Sequence, residues 1–300
     1  MVALAAETLR TVMTTVSEAP QGNQRLVPSL ARLGPMLLVW RLMSHHFLLR
    51  QLVRKSVAMS YQGSIMGVAW IVIRPLLTLA IYGFCFGVVF QGRFFRQASG
   101  GPLEFALVLF VGLTIFTVLS EMLAVAPSLV TGNANFVKRV VFPLDLLVPA
   151  QLGTALVQMT MSAAVFLAVR VFLDPPLGWA ALSVPIVILP YLMLTLGLAW
   201  FLASLGVFVR DIQQMVPLAI TGLMFLSPLF YPVSAVPAFL RSTIYLNPVT
   251  FVLESARNAL FRNEWPDPIG LLVYFVVAAF VMWLGWAWFE KTKNGFADVL

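Results

Sequence analysis

Long uncharged runs alternate with short charged segments along the chain. Six of these runs lack Asp, Glu, Lys and Arg, and they occupy residues 75–92, 105–120, 146–169, 175–209, 212–240 and 268–289. A helix needs about 20 apolar residues to cross the roughly 30 Å hydrocarbon core of a bilayer. The pattern therefore predicts six transmembrane helices, at about 65–90, 104–126, 146–170, 184–209, 213–231 and 269–289.

Composition agrees with a lipid-facing surface. Hydrophobic residues make up 60% of the chain and charged residues only 10%, whereas a soluble domain carries about a quarter charged residues. The predicted fold is an all-α integral membrane protein, and its even number of spans places both termini on one side. We attribute the formal charge of +7 to membrane topology and expect no nucleic-acid partner.

The distribution of basic residues predicts the orientation, because Lys and Arg favour cytoplasmic ends of short loops. The side that carries the termini has eight: Arg50, Arg54, Lys55, Lys138, Arg139, Arg210, Lys291 and Lys293. The opposite side has six, and three of these lie in one long loop, where the rule counts for less: Arg93, Arg96, Arg170, Arg241, Arg257 and Arg262. Both termini are predicted to be cytoplasmic.

The flanks of the spans define four regions. We expect residues 1–36 to be a mobile cytoplasmic tail, 37–64 an amphipathic interface helix region, 65–290 the six-helix transmembrane domain, and 291–300 a cytoplasmic tail. The run HHFLLRQLVRKSVAMSYQG interleaves apolar and basic residues, which suits a helix lying in the inner interface with its basic residues towards anionic headgroups. The alternative is a polar lead-in to the first span.

The chain lacks the groups that ordinary enzyme chemistry needs. It has one cysteine, Cys85, and two adjacent histidines, His45 and His46, which point about 100° apart on a helix and cannot share a metal. There is no phosphate-binding Gly-x-x-x-x-Gly-Lys-Ser/Thr loop. We expect no catalytic residue, metal site or cofactor in this chain, and no ATP site of its own.

Two charges lie inside predicted spans, Arg74 in AWIVIRPLL and Glu121 in TVLSEMLAV. A charge at the bilayer centre costs about 2.5–3.5 kcal/mol on insertion scales, so pairing or snorkelling is expected. Either Arg74 snorkels inward while Glu121 sits at the interface, or the two form a pair or a polar entrance for an anionic ligand. We assign both to a candidate substrate pathway.

Aromatic residues form a second candidate feature. Tyr82, Phe86 and Phe90 recur every four residues on the outer half of the first span, and three more lie near the outer end of the fifth: Phe225, Phe230 and Tyr231. They either face lipid as an interface belt or line a path on which the apolar faces of sugar rings stack.

The segment from 231 to 268 is too apolar for an exposed connector. Its apolar pieces, near 235–246 and 249–261, are too short to cross and are typical of re-entrant or interfacial helices. Prolines break the outer end of the fifth span and open both pieces. The pair Arg210 and Asp211 is predicted to form the tight cytoplasmic turn between the fourth and fifth spans.

The order of these features resembles the membrane subunit of type-2 ATP-binding-cassette exporters, in the branch that exports O-antigen, teichoic acid and capsule chains. The resemblance covers roughly residues 45–290 and rests on SYQGSIMGVAWIVIRPLL, GNANFVKRVVFPLDLLVPA, FVRDIQQMV, SPLFYPVSAVP and LNPVTFVLESARNALF. Members usually carry more basic residues where this chain reads KSVAMSYQG, and an amide where it has Arg74. That second departure makes Arg74 a candidate substrate-specific residue.

The resemblance implies a homodimer in the bacterial inner membrane, with two separate ATPase chains that bind ATP and Mg. Residues 131–142 are then the segment that couples to the ATPase, through Asn133, Asn135, Phe136, Lys138 and Arg139. The two short helices after Tyr231 are an outer gate, and a lipid-linked glycan passes between the two copies. An exporter of a small lipid, drug or antibiotic is the alternative. A secondary transporter needs an internal repeat and buried titratable groups, and a membrane glycosyltransferase or ligase needs clustered carboxylates or basic residues on its outer loops; the sequence displays neither pattern.

Overall fold

The structure is a computed structural model that describes residues 35–85, 102–134, 143–172, 177–231, 233 and 236–299. Within these ranges the chain is helical and contains no β-strand. Eleven α-helices follow one another there: α1 (Pro35–Ser44), α2 (His46–Ser60), α3 (Trp70–Phe84), α4 (Pro102–Leu129), α5 (Leu147–Arg170), α6 (Val184–Phe208), α7 (Ile212–Leu226), α8 (Ala238–Leu246), α9 (Pro248–Arg257), α10 (Pro268–Thr292) and α11 (Phe296–Val299).

Five of the helical segments are long and apolar enough to cross a membrane. They are Gly67–Phe84, Leu103–Leu129, Leu144–Arg170, Trp179–Phe208 and Pro268–Val299, so the chain is a multi-pass membrane protein. Helix α7 has 15 residues and is about 22 Å long, which is less than the thickness of the hydrocarbon core.

The fifth span was predicted at 213–231, but the helix observed there, α7, ends earlier, at Leu226. Helix α7 stops at Leu226 because Ser227 has an extended backbone, with ψ at 142°. Pro228 follows, and a proline disfavours the helical conformation of the residue before it. The two short helices expected after this point are present as α8 and α9.

The interface region also differs in detail from its prediction. Residues 37–64 contain two helices instead of one, since α1 ends at Ser44 and α2 begins at His46. Helix α2 packs on α5, and Val53 lies so close to Gly153 that a side chain at Gly153 would collide with it. Arg50 and Arg54 lie on the exposed part of α2. The helix is therefore amphipathic, with its half-buried face on the bundle.

Helix α6 is the central element of the bundle. It packs on α10 most extensively, and also on α4, α5 and α9. A Cβ atom on Gly285 would overlap the backbone of Gly197, and one on Gly206 would overlap the backbone of Pro127. Helix association in lipid depends on close backbone approach, which small residues permit. Glycine at these positions thus allows α10 and α4 to pack directly on α6.

Side chains of α6 also reach backbone groups of neighbouring helices. The Tyr191 hydroxyl donates to the Ile115 carbonyl at 2.8 Å, and the Trp200 indole Nε1 donates to the Asp145 carbonyl at 3.0 Å. Both aromatic side chains are fully buried. A polar group without a partner in a bilayer core costs several kcal/mol, so each bond fixes the rotation of α6.

These contacts define the direction of each helix. We call the end of the bundle at which α3 begins the proximal end, and the opposite end the distal end. Gly197 and Gly285 lie together, and the hydroxyls of Ser204 and Thr292 are 2.6 Å apart, so α6 and α10 run parallel, both towards the proximal end. Helix α4 runs the same way, whereas α3 and α5 run from proximal to distal.

At the distal end, Arg257 joins three elements. Its guanidinium donates to the carbonyls of Pro228, at 2.5 Å, and Leu229, at 2.8 Å, which are the groups left open where α7 stops. Glu254 is 3.9 Å away, and a Cβ atom on Gly112 of α4 would be 2.7 Å from Arg257 Nη2. Arg257 thus fastens α9 to the end of α7.

Replacing Gly285 by alanine is expected to destabilise the fold by about 1–3 kcal/mol, the usual cost of forcing extra atoms into a packed core. Thermal unfolding of the purified protein in detergent measures this. Gly222→Ala on α7 is the matched control, because nothing lies within 4 Å of a Cβ atom there. Equal melting temperatures for the two variants would contradict the close α6–α10 crossing.

Replacing Arg257 by leucine should cost about 2–4 kcal/mol, because two buried carbonyls lose charge-assisted hydrogen bonds. The same variant should become sensitive to protease between α7 and α8. Arg262→Leu is the control, since Arg262 is exposed and bonds the Asn258 side chain at 3.3 Å. If both variants resist protease equally, Arg257 does not hold this junction.

Candidate functional site

Helices α3, α4 and α5 enclose a cleft of about 210 Å³ whose walls are partly polar. Ten side chains with a polar group line it: Tyr61, Trp70, Arg74, Thr78 and Tyr82 on or next to α3, Thr114, Thr117 and Glu121 on α4, and Gln158 and Ser162 on α5. Polar and charged side chains within membrane spans are costly and commonly mark pathways or binding sites. This cleft is therefore the candidate functional site.

Helical spacing explains why these side chains share one wall. Arg74, Thr78 and Tyr82 recur every four residues on α3, so they form a stripe that faces α4 and α5. The Thr78 hydroxyl donates to the Arg74 carbonyl at 2.9 Å, and the Thr117 hydroxyl donates to the Leu113 carbonyl at 2.7 Å. These two donors are satisfied within their own helices, while the hydroxyl oxygens can still accept from a ligand.

Arg74 and Glu121 meet across the cleft. Arg74 Nη1 is 4.0 Å from Glu121 Oε1, and the two side chains are 61% and 29% exposed. The separation gives electrostatic contact without a short hydrogen bond. A guanidinium has five N–H donors in a planar fork, and the high exposure of Arg74 leaves this fork accessible from the open side of the cleft. The site thus combines a half-buried carboxylate with an accessible cation.

A sharp turn between α2 and α3 forms the proximal mouth. Gly63 and Gly67 have φ angles of 85° and 50°, which glycine adopts far more readily than other residues. The Trp70 indole donates to the Ser64 hydroxyl across this turn at 2.9 Å. Tyr61 and Trp70 consequently lie at one end of the cleft. The sequence reasoning missed both aromatics, although the glycines of SYQGSIMG signal the turn.

Of the residues predicted for a substrate pathway, the structure brings together Arg74, Glu121 and Tyr82. The three at the end of α7 do not line the cleft. Phe225 is 62% exposed, and the Tyr231 hydroxyl donates to the Phe225 carbonyl at 2.9 Å, so these two and Phe230 form a separate distal group. Phe86 and Phe90 lie outside the described residues.

Of the predicted coupling and turn residues, Asn133, Arg210 and Asp211 lie at the proximal end. The Asn133 side chain donates to the Leu129 carbonyl at 2.8 Å and so caps α4. Asn135, Phe136, Lys138 and Arg139 lie outside the residues that the structure describes. Arg210 and Asp211 lie in the turn between α6 and α7, where the Gln214 N–H donates to the Asp211 carbonyl at 3.0 Å.

In the described part of the chain, no three His, Cys, Asp or Glu side chains are grouped closely enough to hold a metal ion. The cleft contributes a single carboxylate, Glu121. The lining of the cleft is suited to hydrogen bonding, ion pairing and ring stacking.

The fold is that of a multi-pass helical membrane protein with a partly polar cleft between its spans. The chain belongs to the ABC-2 type transporter family, which residues 48–261 match. It is similar to the O-antigen export system permease protein RfbA of Myxococcus xanthus, with 26% identity over 263 residues that cover 87% of this chain and 98% of the relative. The RfbA protein of Klebsiella pneumoniae is 24% identical over 255 residues, covering 84% of this chain and 95% of the relative. The family resemblance read from the sequence motifs is confirmed.

Reversing the charges of Arg74 and Glu121 tests their interaction. Arg74→Glu places two carboxylates together and Glu121→Arg places two cations together, so each should lower the yield of monodisperse protein. The double reversal should restore most of the loss, with a coupling energy below about 1 kcal/mol because the pair is partly exposed. Yield and thermal stability in detergent measure the cycle. Arg50→Glu combined with Glu121→Arg is the control, and rescue by that pair would contradict a specific contact.

Proposed function

We propose that the chain is the transmembrane subunit of an ATP-driven exporter, which moves a lipid-linked, O-antigen-like polysaccharide from the cytoplasm across the bacterial inner membrane. The observation that carries this proposal is the similarity to O-antigen export permeases along almost their whole length. The polar cleft adds physical support, because a glycan crossing a bilayer needs hydroxyl, amide and ring surfaces inside the spans.

The proposed topology has six crossings, with α7 as the fifth. Helix α6 ends at the proximal end and α10 begins at the distal end, so the chain between 209 and 267 must pass from one end to the other. Helix α7 with the extended residues after it supplies that passage. Helix α9 is proposed to be re-entrant, since Arg257 reaches Gly112, which is about 15 Å along α4 from its distal start.

A second copy of the chain is proposed to close the open side of the cleft. Helices α3 and α7 are poorly buried within one chain; α7 has only Val216 buried among its residues. Lipid could cover their apolar positions, such as Leu77 and Leu218, which are exposed. Arg74 on α3 is exposed as well, however, and a charge facing lipid is costly. A homodimer that encloses a shared channel removes this cost.

The ATPase is proposed to be a separate partner, present in two copies and holding ATP and Mg, so that this chain is a transport subunit and not itself an enzyme. The proximal end then faces the cytoplasm, as do both termini. Asn133 lies at that end, where α4 finishes, which supports the assignment of Asn135, Phe136, Lys138 and Arg139 to the coupling segment. Phe136 offers an aromatic anchor and the two basic residues offer rim charges for docking.

The lining of the cleft suits a sugar polymer that must slide. Tyr61, Trp70 and Tyr82 provide ring faces on which the apolar side of a pyranose rests, and Gln158 provides both a donor and an acceptor. Such contacts are individually weak and depend little on which hydroxyls a sugar carries. The distal aromatic group and the short helices α8 and α9 are proposed to form the outer gate.

Replacing Gln158 by leucine tests the glycan pathway. The variant should reduce polysaccharide on the cell surface by up to about tenfold, because one hydrogen-bonding group of the cleft is lost. Lipid-linked glycan should accumulate in the cytoplasm. Surface glycan is measured by antibody or lectin binding to intact cells, and the intracellular pool by extraction and gel analysis.

Gln151→Leu is the matched control, because Gln151 lies on the same helix but does not line the cleft. It should export normally, and both variants should bind the ATPase equally well. The proposed function as a whole is tested by deleting the gene and complementing the deletion with the unaltered chain. Normal surface polysaccharide after deletion would overturn the proposed function.

A further inference from the structure

A second cavity, of about 550 Å³, lies between α4, α5 and α6. Its walls are almost entirely apolar, and none of the described residues that line it is charged; they include Val111, Ile115, Ala163, Phe166, Leu182 and Ile188. The cavity extends to the distal end of the bundle, where Trp179 is 79% exposed. Tryptophan at such a position is typical of a membrane–water interface.

This apolar cavity and the polar cleft share one wall. Phe110, Thr114, Met159 and Ser162 line both spaces. The two hydroxyl-bearing residues of the apolar cavity, Thr114 and Ser162, are both in the shared wall. Polarity therefore changes across a single layer of side chains between α4 and α5, with a cation on one side and an almost entirely apolar space on the other.

We propose that the apolar cavity binds the hydrocarbon chain of an amphiphile whose phosphate-bearing head lies in the cleft beside Arg74. The inference rests on the proposed function, since a glycan linked to a polyprenyl phosphate is such an amphiphile. A volume of about 550 Å³ lies within the usual range of ligand sites, about 300–1,000 Å³. The guanidinium fork of Arg74 matches phosphate oxygens in geometry and charge.

The position of Arg74 argues against an ordinary bilayer lipid as the occupant. It lies seven residues after Gly67, the first residue of its span, which is about 10 Å into the membrane from the proximal end. Bilayer phospholipids keep their headgroups at the interface. An amphiphile with its head at this depth needs a polar recess, which the cleft supplies. Met159 in the shared wall has a flexible, unbranched side chain that can rotate to let a chain pass.

Photolabelling of the assembled transporter tests the proposal. The complex is placed in nanodiscs of phosphatidylglycerol and phosphatidylcholine, and irradiated with a polyprenyl phosphate that carries a diazirine on its chain. We expect labelled peptides from 159–167 and 179–188. Ala163→Trp should lower labelling about tenfold, because an indole that displaces even two methylene groups removes that much affinity.

Ala164→Trp is the matched control. Both alanines are exposed and adjacent on α5, but only Ala163 lines the cavity. Labelling of Ala164→Trp should equal that of the unaltered chain. Arg74→Leu should weaken labelling by the phosphate but not by the corresponding polyprenol, and Arg74→Lys should retain part of it. Equal labelling by phosphate and polyprenol in the unaltered chain would overturn the placement of the head.

Two further outcomes separate the possible occupants. If a diazirine phosphatidylcholine labels the same peptides and polyprenyl phosphate does not compete, the cavity holds bilayer acyl chains and the proposal is wrong. The labelling experiment requires no glycan. If the cavity is not labelled although the cells export polysaccharide normally, this inference alone is overturned. If the protein is labelled but deletion of its gene leaves surface polysaccharide unchanged, the cavity assignment is supported. The proposed polysaccharide substrate is then wrong.

Discussion

The close crossings of α6 with α10 and α4 hold the membrane bundle together. In lipid, apolar side chains gain little by leaving their surroundings, so association depends on packing and on hydrogen bonds between helices. Gly197 and Gly285 bring two backbones into contact, and Gly206 does the same against Pro127. The buried Tyr191 hydroxyl then bonds α6 to α4 through a backbone carbonyl. Three helices become one rigid unit through these contacts.

The packing of these helices determines which charged side chains of the cleft are covered and which are exposed. Helix α3 packs on α4 and α5 and has few fully buried side chains, so it closes only one side of the space in front of α4. Glu121 is held on the packed helix and is mostly covered, whereas Arg74 comes from the peripheral helix and is mostly exposed. The carboxylate therefore lies on the better packed helix and the cation on the more exposed one.

Run lengths predicted the long membrane spans well. The spans expected at 146–170 and 184–209 correspond to helices Leu147–Arg170 and Val184–Phe208. The prolines indicated a break at the outer end of the fifth span, but that span was predicted to continue to 231, whereas α7 ends at Leu226. No local pattern predicts that Arg257 satisfies carbonyls 28 and 29 residues earlier in the chain, because that contact depends on how the chain folds back onto α4.

The candidate site was only partly predictable, for a reason that follows from its chemistry. Charge inside a span is costly, so Arg74 and Glu121 stand out in the sequence. Tyr61, Trp70 and Gln158 carry no such penalty, and only the rotation of their helices brings them to the same wall. The proposed glycan pathway needs this second kind of residue more than the first, since a strong charge binds one unit tightly and slows the next. Most of the surface that guides such a substrate must therefore be found from structure.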